Sequence, residues 1–354
     1  MNLSIKKSSK KDNHSLTMTL LKGRTFIVLI LLMVFFSFAS SNFLSTNTML
    51  LLAKHVALYG ILAIGMTYVI ITGGIDLSVG AIVGLCGMVA GGMIQKGLTL
   101  TFFGVTLYFS VPLIILFTLL IGAIIGLLNG IIITRFNVAP FIATLGIMYV
   151  ARGFAMLHSN GATYSNIIGN TALGNTGFSF FDSRLLGIPV GVLILIIIAV
   201  IAGVLLKRTT FGWHIFAIGG NERAAKLSGV KVNKVKILVY IFSGVCAAIV
   251  GIITASQLQA AHPASGEGWE MNAIAAAVLG GTSMMGGIGT IGGTVVGAFV
   301  IGVISDGMVM CGVSEFWQMI IKGVVIILAV IVDQFQRRME AKIALQARNE
   351  AKND

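Results

Sequence analysis

From Thr25 to Val332 the apolar residues of this chain fall in blocks about twenty long, the length an α-helix needs to cross roughly 30 Å of hydrocarbon. No other feature restricts the fold as severely, because inside a bilayer only helices and closed barrels satisfy every backbone polar group. A membrane barrel alternates apolar and polar residues in segments of about ten, and runs such as Val192–Leu206 do not alternate. Charged residues make up only 10% of the chain, against roughly 25% in an ordinary soluble domain. That is too little charge to clothe a water-facing surface. The pattern predicts an all-α, polytopic inner-membrane protein.

Ten spans are predicted, at about 25–43, 50–72, 78–95, 106–133, 138–157, 188–206, 236–256, 271–285, 290–309 and 316–332, with eight to ten as the range the boundaries allow. The piece near 271–285 is short for a crossing and reads as a half-helix or re-entrant segment, which needs protein or a watery cavity to cover its backbone. The stretch 96–133 is long enough to conceal a break. Three regions follow: a basic arm over 1–24, a membrane domain over 25–335 containing a polar loop at 207–236, and a charged tail over 336–354. The basic stretch, then Thr25–Phe38, then Ala39-Ser40-Ser41 has the outline of a secretory signal. With further spans behind it, an uncleaved first span is the expectation.

The net charge of +12 is no sign of a nucleic-acid partner, because the cations gather at the ends of apolar spans. Lys6, Lys7, Lys10, Lys11, Lys22 and Arg24 precede the first span; Lys207, Arg208, Arg223, Lys226, Lys231, Lys234 and Lys236 follow the sixth; Arg337, Arg338, Lys342, Arg348 and Lys352 follow the last. Lys and Arg mark the cytoplasmic side, so both termini and the loop 207–236 are expected there, and ten crossings agree in parity. Cys86, Cys246 and Cys311 are too scattered for a disulfide framework and read as packing residues. The five histidines lack metal-ligand spacing, and no cofactor or metal is expected on this chain.

Gly122, Gly126 and Gly130, and again Gly289, Gly293 and Gly297, make small-xxx-small stripes that let helices approach closely. Gly287-Ile288-Gly289-Thr290-Ile291-Gly292 spells the dinucleotide fingerprint, but that motif has meaning only between a strand and a helix. A Walker A pattern is absent, and Leu227-Ser228-Gly229-Val230 lacks the glycine and glutamine that continue an ATPase signature loop.

Charges inside a membrane default to functional candidates. Asp76 lies between spans two and three, where capping the following helix is the plain reading and a substrate or proton site the sharper one. Asp306 and Lys322 fall toward the outer ends of the last two spans, placed for snorkelling or mutual pairing. Arg152 reads as an interface anchor, with an outer vestibule as its alternative. Asp76, Asn129, Thr144 and Asn272 are the candidates for a translocation path. No aromatic–carboxylate cluster in the spans is distinctive enough to name a sugar site, and ordinary interhelical bonding accounts equally well for Asn129, Asn272 and Gln257.

Phe211–Val230 is a polar, cationic island between apolar stretches. Gly219-Gly220-Asn221 offers a turn with Asn221 as N-cap, Glu222–Leu227 are good helix formers, and Ser228-Gly229 supplies a C-cap glycine. A short cytoplasmic helix results, with Ala224 and Ala225 as a small face that could seat in a partner's groove. A solvated basic loop beside anionic lipid is the alternative.

This island resembles the coupling loop of the ribose-type sugar permeases of bacterial ABC importers, with its Gly-Gly-Asn, Ala-Ala pair and Ser-Gly-aliphatic end. Thr72-Gly73-Gly74-Ile75-Asp76-Leu77-Ser78-Val79-Gly80 is similar to that family's early glycine–Asp motif. Leu128-Asn129-Gly130 with Pro140-Phe141-Ile142-Ala143-Thr144-Leu145-Gly146 is similar to its central motif. Ala275–Ser283 with Gly286-Gly287 and Gly292-Gly293-Thr294 is similar to its late glycine-rich segment. The resemblance covers about residues 45–335. It implies a non-enzymatic transmembrane subunit that pairs with a second permease copy, identical or not. It implies that Gly219, Gly220, Asn221, Glu222, Ala224, Ala225, Leu227, Ser228 and Gly229 meet a cytoplasmic ATPase carrying ATP and Mg. It also implies that a monosaccharide arrives from a periplasmic or lipid-anchored binding protein; the polar loop His158–Gly187 is the candidate dock, with an unspecialised solvent-facing loop as the alternative. The cargo within that class is not legible. A secondary transporter coupled to ions through Asp76 or Asp306 is the rival; it would need no cytoplasmic partner and would favour inverted repeats. A scaffold or receptor would leave the glycine motifs and the coupling helix idle.

Overall fold

The computed structural model describes residues 25–100, 104–328, 330–332 and 334–335. The basic arm predicted at 1–24 and the tail at 336–354 lie outside these residues. Ten apolar helices stand where the hydropathy places them: α1 (Thr25–Ala39), α2 (Thr46–Ile71), α3 (Val79–Gln95), α4 (Val111–Arg135), α5 (Pro140–Leu157), α6 (Val190–Arg208), α9 (Val232–Leu258), α10 (Trp269–Leu279), α11 (Ile291–Met310) and α12 (Glu315–Val332). Two more, α7 (Thr210–Gly220) and α8 (Glu222–Leu227), fill the stretch between α6 and α9. Seven of the apolar helices are long enough to cross a membrane; α1, α3 and α10 are shorter. The suspected break in 96–133 is real: a small hairpin, β1 (Leu98–Leu100) with β2 (Val105–Leu107), precedes α4.

The core forms around α2 and α9, whose middles are buried on all sides. The first glycine stripe seats α4 on α9. A side chain at Gly122 would strike the Gly244 carbonyl and Ala248, one at Gly126 the Tyr240 carbonyl, and one at Gly130 the Ile237 backbone. Close backbone approach supplies van der Waals attraction where lipid leaves no hydrophobic drive between helices. The second stripe does the same for α11, with Gly293 against Gly280 and Gly297 against Ala276 of α10, while Gly289, just ahead of α11, lies against Ile71. Both stripes therefore serve helix packing. Helix α1 belongs to the same body: Phe36 is buried over Gly307, and the Thr25 hydroxyl donates to the Leu279 carbonyl at 2.6 Å.

Two helices stop partway. At 1.5 Å per residue the 11 residues of α10 reach only about 16 Å, half of a bilayer, as the reading of 271–285 anticipates. After α9 the chain forms β6 (Ala260–Ala261), which pairs with β3 (Tyr164–Ser165) of the long loop between α5 and α6. It then descends through 262–268 to the start of α10. Helix α3 likewise begins inside the bundle, after the non-helical turn 72–78. The two N-terminal ends meet: the Gly266 carbonyl and the Glu270 carboxylate both lie against Gly80. From there α3 runs toward the end of the molecule bearing β3, where Gln95 donates to the Ser165 carbonyl, and α10 runs the opposite way. Cys86 and Cys246 are buried packing residues, but Cys311 at the end of α11 is exposed, which corrects its assignment to packing.

Candidate functional site

The stretch 207–236 is almost wholly helical rather than a polar loop. Helix α6 continues to Arg208, α7 follows after Thr209, and α9 begins at Val232. Gly219 and Gly220 are therefore the last turn of α7 and not the free turn expected of them. Gly219 is a glycine for another reason. A Cβ there would overlap the Ile71 carbonyl and the Gly287 nitrogen, and that nitrogen donates to the same Ile71 carbonyl at 2.9 Å. The end of α7, the end of α2 and the loop before α11 thus touch backbone to backbone. Two of the dinucleotide-like glycines, Gly287 and Gly289, lie in that loop and Gly292 in the first turn of α11, with no strand leading into them among the described residues.

Helix α8 is closed at both ends by its own sequence. The Asn221 carboxamide oxygen accepts from the Ala224 amide at 3.0 Å, and Glu222 and Lys226 sit at the ends their charges favour. At the other end Gly229 adopts φ 86°, a left-handed position open to glycine at little steric cost. The Val230 amide returns to the Ala225 carbonyl and the Gly229 amide to the Lys226 carbonyl, both at 3.1 Å. Lys236 on α9 adds an ion pair to Glu222 at 2.7 Å, a tie the sequence pattern did not show. The predicted small face divides: Ala224 is exposed, but Ala225 keeps only 5% of its surface and packs into this chain's own core. The apolar group offered outward is Leu227, 85% exposed.

Of the four residues considered for a translocation path, three come together. Asp76 is 0% exposed, accepting from the Ser78 amide at 3.0 Å, the Ser78 hydroxyl at 2.6 Å and the Ser243 hydroxyl of α9 at 2.8 Å. Asn129 of α4 donates to the Ser78 hydroxyl at 2.8 Å, and the Thr144 hydroxyl of α5 receives the Leu77 amide at 3.2 Å. This knot fastens the turn 72–78 to α4, α5 and α9. Its carboxylate makes an Asx turn and a tertiary bond rather than a simple cap, and it faces no open space. Asn272 is buried on α10 and shares no hydrogen bond with the knot among the described residues.

Two further charges change their assignment. Arg152 is neither a lipid-interface anchor nor a free vestibule cation, since its Nη1 donates to the carbonyls of Pro263 and Ser265 at 2.6 and 3.0 Å. It holds the descending segment that leads into α10. Asp306 pairs with His55 of α2 at 2.8 Å and not with Lys322. Histidine so far inside a span gave no spacing signal, so this pair was not foreseen.

The structure also assembles what the sequence pattern did not resolve, an aromatic–carboxylate cluster within the spans. Tyr59 of α2 meets Trp269, the first residue of α10, edge to face with ring centroids 5.6 Å apart and planes at 81°. Glu270 follows directly, its carboxylate against Gly80. Both rings are only partly buried.

A many-helix membrane body with half-helices meeting in its interior, and a short capped helix presenting an exposed leucine, marks a multi-pass inner-membrane permease. Residues 48–330 match the family described as branched-chain amino acid transport system / permease component, and the chain belongs to that family. It is 43% identical to the ribose import permease protein RbsC of Bacillus subtilis (strain 168), an alignment spanning 87% of this chain and 91% of the relative. Identity to the ribose import permease protein RbsC of Escherichia coli (strain K12) is 40%, over 89% and 94%. Identity to the xylose transport system permease protein XylH of the same strain is 34%, over 88% and 91%. No solved structure matches the chain.

Proposed function

We propose that this chain is the membrane-spanning subunit of an ATP-driven importer that carries an aldopentose, ribose foremost, into the cell. Helix α8 carries the reading: six residues, capped at both ends, pinned by Glu222–Lys236, with Leu227 left in water. Helix α8 packs on the body through Ala225 and leaves the large apolar Leu227 side chain in water at its end, a contact that a partner can bury. Relatives named for ribose and for xylose import support the cargo class.

In this reading α8 seats on a cytoplasmic ATPase that holds ATP and Mg, this chain binding no cofactor and catalysing no reaction itself. Both termini lie on the cytoplasmic side. A second permease copy, identical or not, completes the pathway, and a binding protein delivers sugar at the end bearing β3 and β6. Residues Gly219, Gly220, Asn221, Glu222, Ala224, Ala225, Leu227, Ser228 and Gly229 then serve in two ways. Ala224, Leu227 and Ser228 face the ATPase; Gly219 and Ala225 fasten the helix to the membrane body. A push on α8 reaches the Ile71 end of α2 and the Gly287 loop through Gly219, since bare backbones in contact have no side chains to absorb the movement. ATP binding favours one of two arrangements of the spans by as much as the ATPase grips α8 differently in each. Asp76, Asn129 and Thr144 brace the path and do not line it.

The test is reconstitution in proteoliposomes with the co-purifying ATPase and binding protein. ATP-dependent, protonophore-insensitive uptake of D-ribose is the expected result. Uptake that follows a proton or sodium gradient and needs no ATPase would overturn the proposal in favour of ion-coupled transport.

A further inference from the structure

The geometry points to Tyr59, Trp269 and Glu270 as a sugar-contact subsite at the middle of the membrane, the two rings taking the C–H face of a monosaccharide and the Glu270 carboxylate accepting its hydroxyls. This rests on the importer reading above.

Depth comes first. Tyr59 lies midway along the 26 residues of α2, about 20 Å from either end at 1.5 Å per residue. Trp269 and Glu270 open a half-helix at the same level, because the Tyr59 and Trp269 rings touch. Non-helical backbone and half-helix ends at this depth are tolerated where they line a cavity, and transporters place their substrate there.

Accessibility comes second. Both rings are partly exposed, and Glu270, the next residue of α10, is partly exposed as well. A carboxylate at the bilayer centre is too costly to face hydrocarbon, so this face opens on a watery passage or on the second copy. No cation among the described residues forms a salt bridge to Glu270; the Arg152 guanidinium, held by the carbonyls of Pro263 and Ser265, attracts it from farther off, and the amides of Gly268 and Glu270 reach its carboxylate at the start of α10. Asp76, the other acid at the break, has three donors and no exposure. Both carboxylates keep an acceptor site, but only that of Glu270 is open to a solute.

Chemistry comes third. A monosaccharide offers one apolar C–H face and a rim of hydroxyl donors. Two aromatic planes at 81° form a corner for the face, and an adjacent carboxylate suits the rim. An aliphatic cargo would leave the acid unmatched.

The experiment is uptake of D-[14C]ribose by the complete importer in proteoliposomes, with D-xylose as competitor, on Trp269→Ala, Trp269→Phe and Glu270→Gln. ATP hydrolysis stimulated by ribose-loaded binding protein, and the melting temperature, are read on the same preparations. Trp269→Ala and Glu270→Gln are expected to lose about tenfold or more in uptake, with stimulated hydrolysis and melting unchanged. Trp269→Phe keeps an aromatic plane; it should restore most of the uptake while shifting the ribose-to-xylose ratio. The subsite is refuted by uptake within twofold of the parent in both Trp269→Ala and Glu270→Gln. It is equally refuted by losses that merely track lower stimulated hydrolysis or melting, which would make the cluster structural. A parent importer without ATP-driven uptake of either sugar would instead sink the importer reading itself.

Discussion

Replacing Leu227 with serine tests the coupling helix without disturbing the fold around it. Burying a leucine side chain completely is worth about 1.5–3 kcal/mol. With 85% of Leu227 exposed in the isolated chain, nearly all of that is available to a partner, so the substitution should cost about 2 kcal/mol of association. That corresponds to roughly a thirtyfold rise in the Kd for the ATPase. Serine at an exposed position should move the permease's own stability by no more than about 0.5 kcal/mol. Ala225→Arg makes the contrast. Ala225 is 5% exposed, so an arginine there must lever α8 off the body, an overpacking cost of about 1–3 kcal/mol before its charge is counted. The assay is titration of purified ATPase onto the permease in nanodiscs, followed by ATP-driven uptake, with a melting curve for each variant. Leu227→Ser should bind weakly and melt normally; Ala225→Arg should fail in both. A Kd for Leu227→Ser within twofold of the parent would refute the placement of Leu227 in the interface.

Gly126→Leu should prevent α4 from closing on α9, because its side chain would occupy the site of the Tyr240 carbonyl; a cost of about 3 kcal/mol would show as loss of the folded monodisperse species in mild detergent. Ser243→Ala removes one of the three donors to Asp76 and should lower stability by about 1.5–3 kcal/mol, read as a reduced melting temperature with the substrate affinity of the assembled importer unchanged. Glu222→Gln breaks the pair with Lys236; since Glu222 is 53% exposed and Lys236 16%, the loss should stay near 0.5 kcal/mol, visible only as faster amide exchange at the start of α8.

The helical body was legible because burial in a bilayer is written as composition: ten apolar runs stand as ten helices. Caps were legible for a similar reason, since Asn221 and Gly229 act on backbone within a few residues of themselves. Long-range pairings left no such trace. Nothing local distinguishes His55 from any other histidine in a span, yet it meets Asp306 across 251 residues of chain. The Ala224-Ala225 pair misled because two small neighbours on a helix point in different directions, one outward and one to the core. Gly219 was read as turn chemistry, whereas its glycine answers to the Ile71 carbonyl, which only tertiary packing brings near.

The two acids at the membrane centre show why exposure, and not residue type, separates structure from chemistry. Asp76 drew attention as a charge in an apolar setting within a glycine-rich motif. Glu270 drew none, standing at the start of a piece too short to count as a span. In the fold both flank the beginnings of half-helices that meet at Gly80, and both could be described as intramembrane carboxylates. Asp76 is enclosed by Ser78 and Ser243, which makes it a fastener for the break in the chain. Glu270 follows the half-open Trp269 ring in sequence, is itself partly exposed, and has no salt bridge among the described residues. An acid enclosed on every side can hold helices together but cannot greet a moving solute; one left partly open can do the second at the expense of the first. Neutralising Asp76 should therefore be felt in folding, and neutralising Glu270 in the passage of cargo.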